Sequence, residues 1–161
     1  MLVLSLRHAL ACVTGGYLST GTGKAAVLRR MSVGDRVVIY SPRTDHPGGE
    51  PLRAATAIGE VTGADTLEAE PGSFQRTANL SVIEPVPLTD LREHLPVPLL
   101  RYGCIALTAE RAGPLWRVVR RQFEVPAPSS PGLPRGRACP RPISKPQRLT
   151  VIVSGPVGND R

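Results

Sequence analysis

Aromatic residues are scarce, at 4% of the 161 residues. Any flat surface for stacking must therefore come from Tyr17, Tyr40, Phe74, Tyr102, Trp116 and Phe123. No apolar run approaches the roughly 20 residues that a helix needs to cross a bilayer. The opening MLVLSL is too short for a signal-peptide core and meets Arg7 and His8 at once, so it reads as a first strand. The three cysteines, Cys12, Cys104 and Cys139, are odd in number and far apart. That excludes a disulfide framework and points to a reducing, cytoplasmic setting. His8, His46 and His94 have no Cys or His at ligand spacing, so no zinc or other metal site is expected. Gly23-Lys24 fails as a phosphate loop, because Leu18 and Ala25 stand where glycine and Ser or Thr are required. No nucleophile elbow or paired carboxylates stand out. Cys12 lies within a helical turn of His8 but reads as a buried core thiol. A non-enzymatic binding module without a cofactor is the expectation.

The length fits one domain, and 41% apolar content supplies a modest core. The expected boundaries are a folded domain over residues 1–125 and a Pro/Arg-rich tail, disordered or extended, over 126–161. The net charge of +7 divides unevenly between them. Residues 1–125 hold 14 Lys/Arg against 12 Asp/Glu, whereas the tail holds 6 against Asp160 alone. A salt-sensitive attraction to polyanions thus belongs mostly to the tail. Leu149 to Val153 is the tail's one strand candidate.

Val3 to Leu6 is expected as a strand, with His8 to Val13 open between helix and loop. A glycine-rich link follows, then one or two helical turns from Ala25 to Met31. Ser32-Val33-Gly34-Asp35 stops that helix, Asp35 serving as a turn residue. The clearest strand is Arg36 to Tyr40, carried by β-branched Val37, Val38 and Ile39. A polar loop, Thr44 to Pro51, leads to a second strand, Arg53 to Val61, where Gly59 marks a bulge or close approach. Phe74 to Ile83 is a further strand, interrupted by Pro85 and Pro87. Leu88, Leu91 and Leu95 make a short amphipathic helix. Tyr102 to Leu107 and Trp116 to Val125 supply the last core elements.

The order of these residues resembles the EVE domain family of the PUA-like superfamily, to which the YTH domains are related. The resemblance begins at Ser5-Leu6-Arg7-His8 and continues through Gly16-Tyr17 and Gly23-Lys24. Its most specific part is Leu28-Arg29-Arg30-Met31, Gly34-Asp35, Tyr40-Ser41-Pro42 and Thr56-Ala57-Ile58-Gly59. Phe74-Gln75-Arg76, the leucine-rich helix and Arg101-Tyr102-Gly103 extend it, and past Gly103 the match is poor. This implies an α/β fold, a PUA-like pseudo-barrel of mostly antiparallel strands with short flanking helices. It also implies a pocket for a base, a role in binding modified nucleotides, and DNA or RNA as the partner. The chain departs from the family pattern at Arg7, Ser19, Thr22 and Tyr102, which predicts an altered pocket.

On that basis the expected ligand-binding residues are Ser5, His8, Tyr17, Ser19, Lys24, Tyr40, Ser41 and Arg76. Tyr17 and Tyr40 offer faces for stacking, while Ser5, Ser19 and Ser41 offer hydrogen bonds to a base edge. His8 would orient the base, and Lys24 and Arg76 would meet backbone phosphates. The bland counterparts are a core Tyr40 with its hydroxyl paired near Ser41, a His8 that caps the first strand, and solvated or internally bridged cations. The alternative function is a structural or protein-interaction module that has lost its ligand.

Overall fold

The computed structural model describes residues 2–20, 25–95, 104–121 and 149–152. In chain order the elements are β1 (Leu2–Val3), α1 (Leu6–Gly15), β2 (Tyr17–Thr20), α2 (Ala25–Arg29), β3 (Arg36–Arg43), β4 (Pro51–Val61), β5 (Leu67–Glu70) and β6 (Ser73–Pro87). There follow α3 (Leu88–Leu91), a single tight turn over Arg92–His94, β7 (Cys104–Leu107), α4 (Ala109–Arg121) and β8 (Leu149–Ile152).

One mixed sheet carries all the strands. Its centre is the antiparallel run β3–β4–β6. The second edge of β3 is shared: β8 pairs in parallel with Arg36 and Val37, and β1 in parallel with Ile39 and Tyr40. β7 joins both β1 and β8 antiparallel. At the other end the first half of β6 binds β2 and β5. The architecture is the expected one of mostly antiparallel strands with short helices, and the sheet as a whole is not closed. Within the stretch read as a tail, Leu149–Ile152 joins the sheet between β7 and β3. The rest of 126–161 lies outside the described residues.

The run Val37-Val38-Ile39-Tyr40 is apolar throughout because both faces of β3 are covered. Val37 and Ile39 join Leu4, Cys12, Leu18, Leu28 and Leu80 in the core under α1 and α2. Val38 and Tyr40 join Ile58, Val86, Leu91, Leu115 and Val119 under α3 and α4. Two buried layers sandwich one sheet.

Three expectations are corrected. The strand expected over Val3 to Leu6 ends at Val3, because Ser5 has turned into the N-cap of α1. Its side chain accepts from the His8 N–H at 3.3 Å, and Gly16 closes the helix at φ 69°. Pro85 does not interrupt β6, which runs on to Pro87. The ladder is irregular there, since Ala57 faces Val82 while Ala55 faces Val86, so the missing N–H of Pro85 costs no regular rung. The last helix begins at Ala109, well before Trp116, and Pro114 lies inside it. The turn before β3 forms as expected: Asp35 accepts from the Ser32 N–H at 2.8 Å. Gly34, at φ 90°, takes up the sharp bend there.

Candidate functional site

The expected site residues separate into two groups on the fold. The first gathers where the N-terminus of α1 meets the end of β3. The Leu4 N–H donates to the Tyr40 carbonyl at 3.0 Å, which fixes Ser5 and His8 beside that strand end. Ser5 is spent on its helix cap. His8, half-buried on α1, has its imidazole pushed below the ordinary value by burial. A folded-state value below the unfolded one means that stability is full above about pH 6.5 and falls as pH drops through the folded value. The melting temperature should therefore decline on acidification from pH 6.5, with the decline reduced in His8→Gln. Asp45, whose carboxyl is lowered by the His46 N–H and by Arg7, adds a further loss only at lower pH, because its ordinary range is near 4.

Tyr40 and Ser41 are neighbours on β3, so their side chains leave opposite faces of the sheet. Ser41 is fully buried and its hydroxyl lies 2.8 Å from that of Thr56. Tyr40 is 1% exposed within the α3–α4 core, and its hydroxyl has no hydrogen-bond partner among the described residues. The expected pairing of that hydroxyl near Ser41 does not occur. Burial raises the phenol above its ordinary value, and the charge of Arg53 pulls the other way. Arg53 is the one non-glycine residue with positive φ among the described residues, at 50°. It sits where two residues of β4, Leu52 and Arg53, oppose the single Pro42 of β3 between Ser41↔Ala54 and Arg43↔Pro51. A strained backbone, an exposed cation and a buried, unpartnered hydroxyl thus meet at one corner. Arg53 was not among the expected site residues, because a left-handed φ at an arginine has no signal in its residue type.

The second group lies on β2 and the first half of β6. Tyr17 pairs with Thr77, Leu18 with Arg76, and Ser19 with Gln75. Tyr17 packs on the α1–α2 core, and Ser19 is buried at 5% exposure. The backbone of Ser19 hydrogen-bonds the Cys12 thiol, but burial dominates and pushes that thiol up to about 11. Cys12 is therefore an inert core thiol at neutral pH. Arg76, expected to meet phosphate, is 5% exposed and occupied: Nε donates to the Gly63 carbonyl at 2.9 Å and Nη1 to the Leu28 carbonyl at 2.7 Å. Nearby, the Arg29 guanidinium lies 6.0 Å from the centre of the Phe74 ring. Lys24, like Thr22 and Tyr102, falls outside the described residues.

The structure thus places Ser5, His8 and Tyr40 near one corner and sends Tyr17, Ser19 and Arg76 to another part of the sheet. No group of three or more His, Cys, Asp or Glu among the described residues could hold a metal ion. No helix among them is long and apolar enough to cross a membrane.

These features define a small mixed α/β domain of the PUA-like kind. The chain belongs to the EVE domain family, whose model matches residues 4–99. It is 35% identical over 96 residues to a UPF0310 protein of Renibacterium salmoninarum, a match covering 58% of this chain and 69% of that one. It is similar also to a UPF0310 protein of Mycolicibacterium gilvum, at 42% identity over 73 residues, 45% of this chain and 52% of the relative. A UPF0310 protein of Streptococcus gordonii matches at 33% identity over 110 residues, 63% of this chain and 78% of the relative. The chain therefore spans about half the length of one of these relatives and more of the others. No solved structure matches it. β7, α4 and β8 lie beyond the region matched by the family model.

Proposed function

We propose that this domain binds a modified base or a small nucleic-acid element, in DNA or RNA, without turning it over. Family membership supports the ligand class. The carrying observation is the Tyr40 hydroxyl, buried under the charge of Arg53 without a partner among the described residues. An orphaned buried hydroxyl costs about 1–3 kcal/mol of desolvation, which a ligand atom at that corner would relieve. Arg53 would draw an anionic or carbonyl-bearing ligand there.

Titrating modified and plain single-stranded and duplex oligonucleotides tests this reading. Tyr40→Phe is the informative variant. It should keep or raise the melting temperature, since it removes an unpaired group, and should weaken binding of the preferred oligonucleotide about tenfold, the effect of losing one hydrogen bond. Absence of binding by every oligonucleotide would overturn the proposal.

A second reading, a family member acting as a structural or protein-interaction module, is favoured by a different observation. Ser5, Ser41 and Arg76 are all engaged within the protein itself. Under that reading Tyr40→Phe stabilises the fold and changes no oligonucleotide affinity.

A further inference from the structure

A cavity of about 200 Å³ opens on the α4 side of the sheet, at the start of β3. Tyr40 lies on the same face four residues further along that strand, about 13 Å away. The cavity is therefore separate from the corner described above. Its floor is a polar row running across three strands: Arg36 stands opposite Glu60 on β4, and Glu60 opposite Asn79 on β6. Ser81 follows two residues beyond Asn79, on the same face. Trp116 of α4 forms the wall.

Opposite charges at directly opposed positions in a ladder ordinarily pair. Here no ion pair joins Arg36 to Glu60. The Arg36 guanidinium instead lies 5.0 Å from the centre of the Trp116 ring. Among the described residues, no hydrogen bond or ion pair occupies the side chains of Glu60, Asn79 or Ser81. An indole backed by a cation therefore faces a carboxylate, an amide and a hydroxyl, all available. The exposed arginines of α4, Arg111, Arg117 and Arg121, add positive potential against a single acid on that helix, Glu110.

From this juxtaposition we infer that the groove between Trp116, Glu60 and Asn79 is a second binding site, taking one unpaired guanine nucleotide. Recognition of an unpaired base needs an aromatic face and groups for its Watson–Crick edge. Trp116 and Arg36 supply the face. A carboxylate accepts only, with two oxygens side by side. Guanine alone among the common bases presents two adjacent N–H donors, at N1 and N2, to such a group. Adenine and cytosine present one exocyclic amine beside an acceptor, and uracil flanks its single N–H with carbonyls that a carboxylate repels. The guanine O6 acceptor then meets an N–H of Asn79. The volume admits one ring system, and the arginines of α4 attract the phosphate.

Trp116 is the only tryptophan in the chain, so its fluorescence reports occupancy of this groove directly. Titration of the full chain with guanosine 5′-monophosphate should quench it saturably. Inosine 5′-monophosphate, which lacks the N2 amine, should bind about tenfold more weakly, and the adenine, cytosine and uracil monophosphates more weakly still. Glu60→Gln, at an exposed position, should keep the melting temperature and lose about tenfold in guanine affinity. Tyr40→Phe should leave this titration unchanged whatever becomes of the other corner, so failure here is distinguishable from failure of the function proposed above. No quenching by any nucleotide, equal quenching by all of them, or an unaltered affinity in Glu60→Gln would each overturn the assignment.

Discussion

Replacing Arg76 with methionine is expected to destabilise the fold by about 2–4 kcal/mol, the range for losing two charge-assisted hydrogen bonds at a buried site. In Arg76, a planar cation reaches from β6 to two carbonyls on separate segments. One belongs to Leu28 on α2, and the other to Gly63 after β4. Both bonds are short, and no carboxylate pairs with the guanidinium among the described residues. Compensation for the buried charge comes from oriented carbonyl dipoles, including one at the C-terminal end of α2, where a cation is favoured. Methionine fills a similar volume but leaves the two carbonyls without this partner and α2 without its tie to the sheet. Lysine should rescue poorly, because a single ammonium cannot fork toward both oxygens. Thermal or urea unfolding of the parent, Arg76→Met and Arg76→Lys checks this. The same series decides the role expected from sequence. A phosphate contact would lose oligonucleotide affinity at unchanged stability, whereas a strut loses stability first.

Arg76 also shows how far a sequence can be read. As a residue type it announces charge, and charge beside an aromatic invites a nucleic-acid reading. Its phase tells otherwise: Arg76, Ala78 and Leu80 are the buried positions, while Thr77 and Asn79 are exposed. Period-two alternation thus puts the arginine in the core row of β6. β3 was legible because β-branched residues run without a break, which suits a strand covered on both faces. α1 was harder, because apolar Val3, Leu4 and Leu6 imitate a strand. Yet Ser5 before the helix and Gly15-Gly16 at its end are the residues that start and stop helices. In α4, Gly113-Pro114 resembles a break. The proline sits near the first turns, and a buried stripe of Ala112, Leu115 and Val119 holds the helix together around it. The candidate corner was only half legible. Ser5, His8 and Tyr40 are where the family resemblance directs attention, but adjacency of Tyr40 and Ser41 already forbids both from facing one hollow in a strand. The left-handed Arg53 and the cross-strand row Arg36–Glu60–Asn79 depend on bulges and register, and residue identity encodes neither by itself.

The second large effect is expected at Gly59, where alanine should destabilise by about 3 kcal/mol, the cost of forcing atoms into a packed site whose neighbours are backbone. Gly59 lies two residues before the end of β4 but is paired on both sides, to Val37 and to Leu80. A Cβ there would press on the carbonyl oxygen of Asn79 and come within 2.9 Å of Leu80 Cα. Flexible side-chain ends can swing away from such a contact, but these backbone atoms can yield only if β4 and β6 part. Those strands carry both core layers, so the strain reaches Ile39 and Leu80 on one face and Val38 and Ile58 on the other. Gly113 is the matched control. It lies within α4 with nothing close to the position of a Cβ, so Gly113→Ala should stabilise by about 0.5–1 kcal/mol through helix propensity. Urea unfolding of both variants should give opposite shifts in midpoint. A neutral Gly59→Ala would mean that the β4–β6 ladder opens at little cost, which would leave the Glu60–Asn79 row without the rigid base that its proposed role requires.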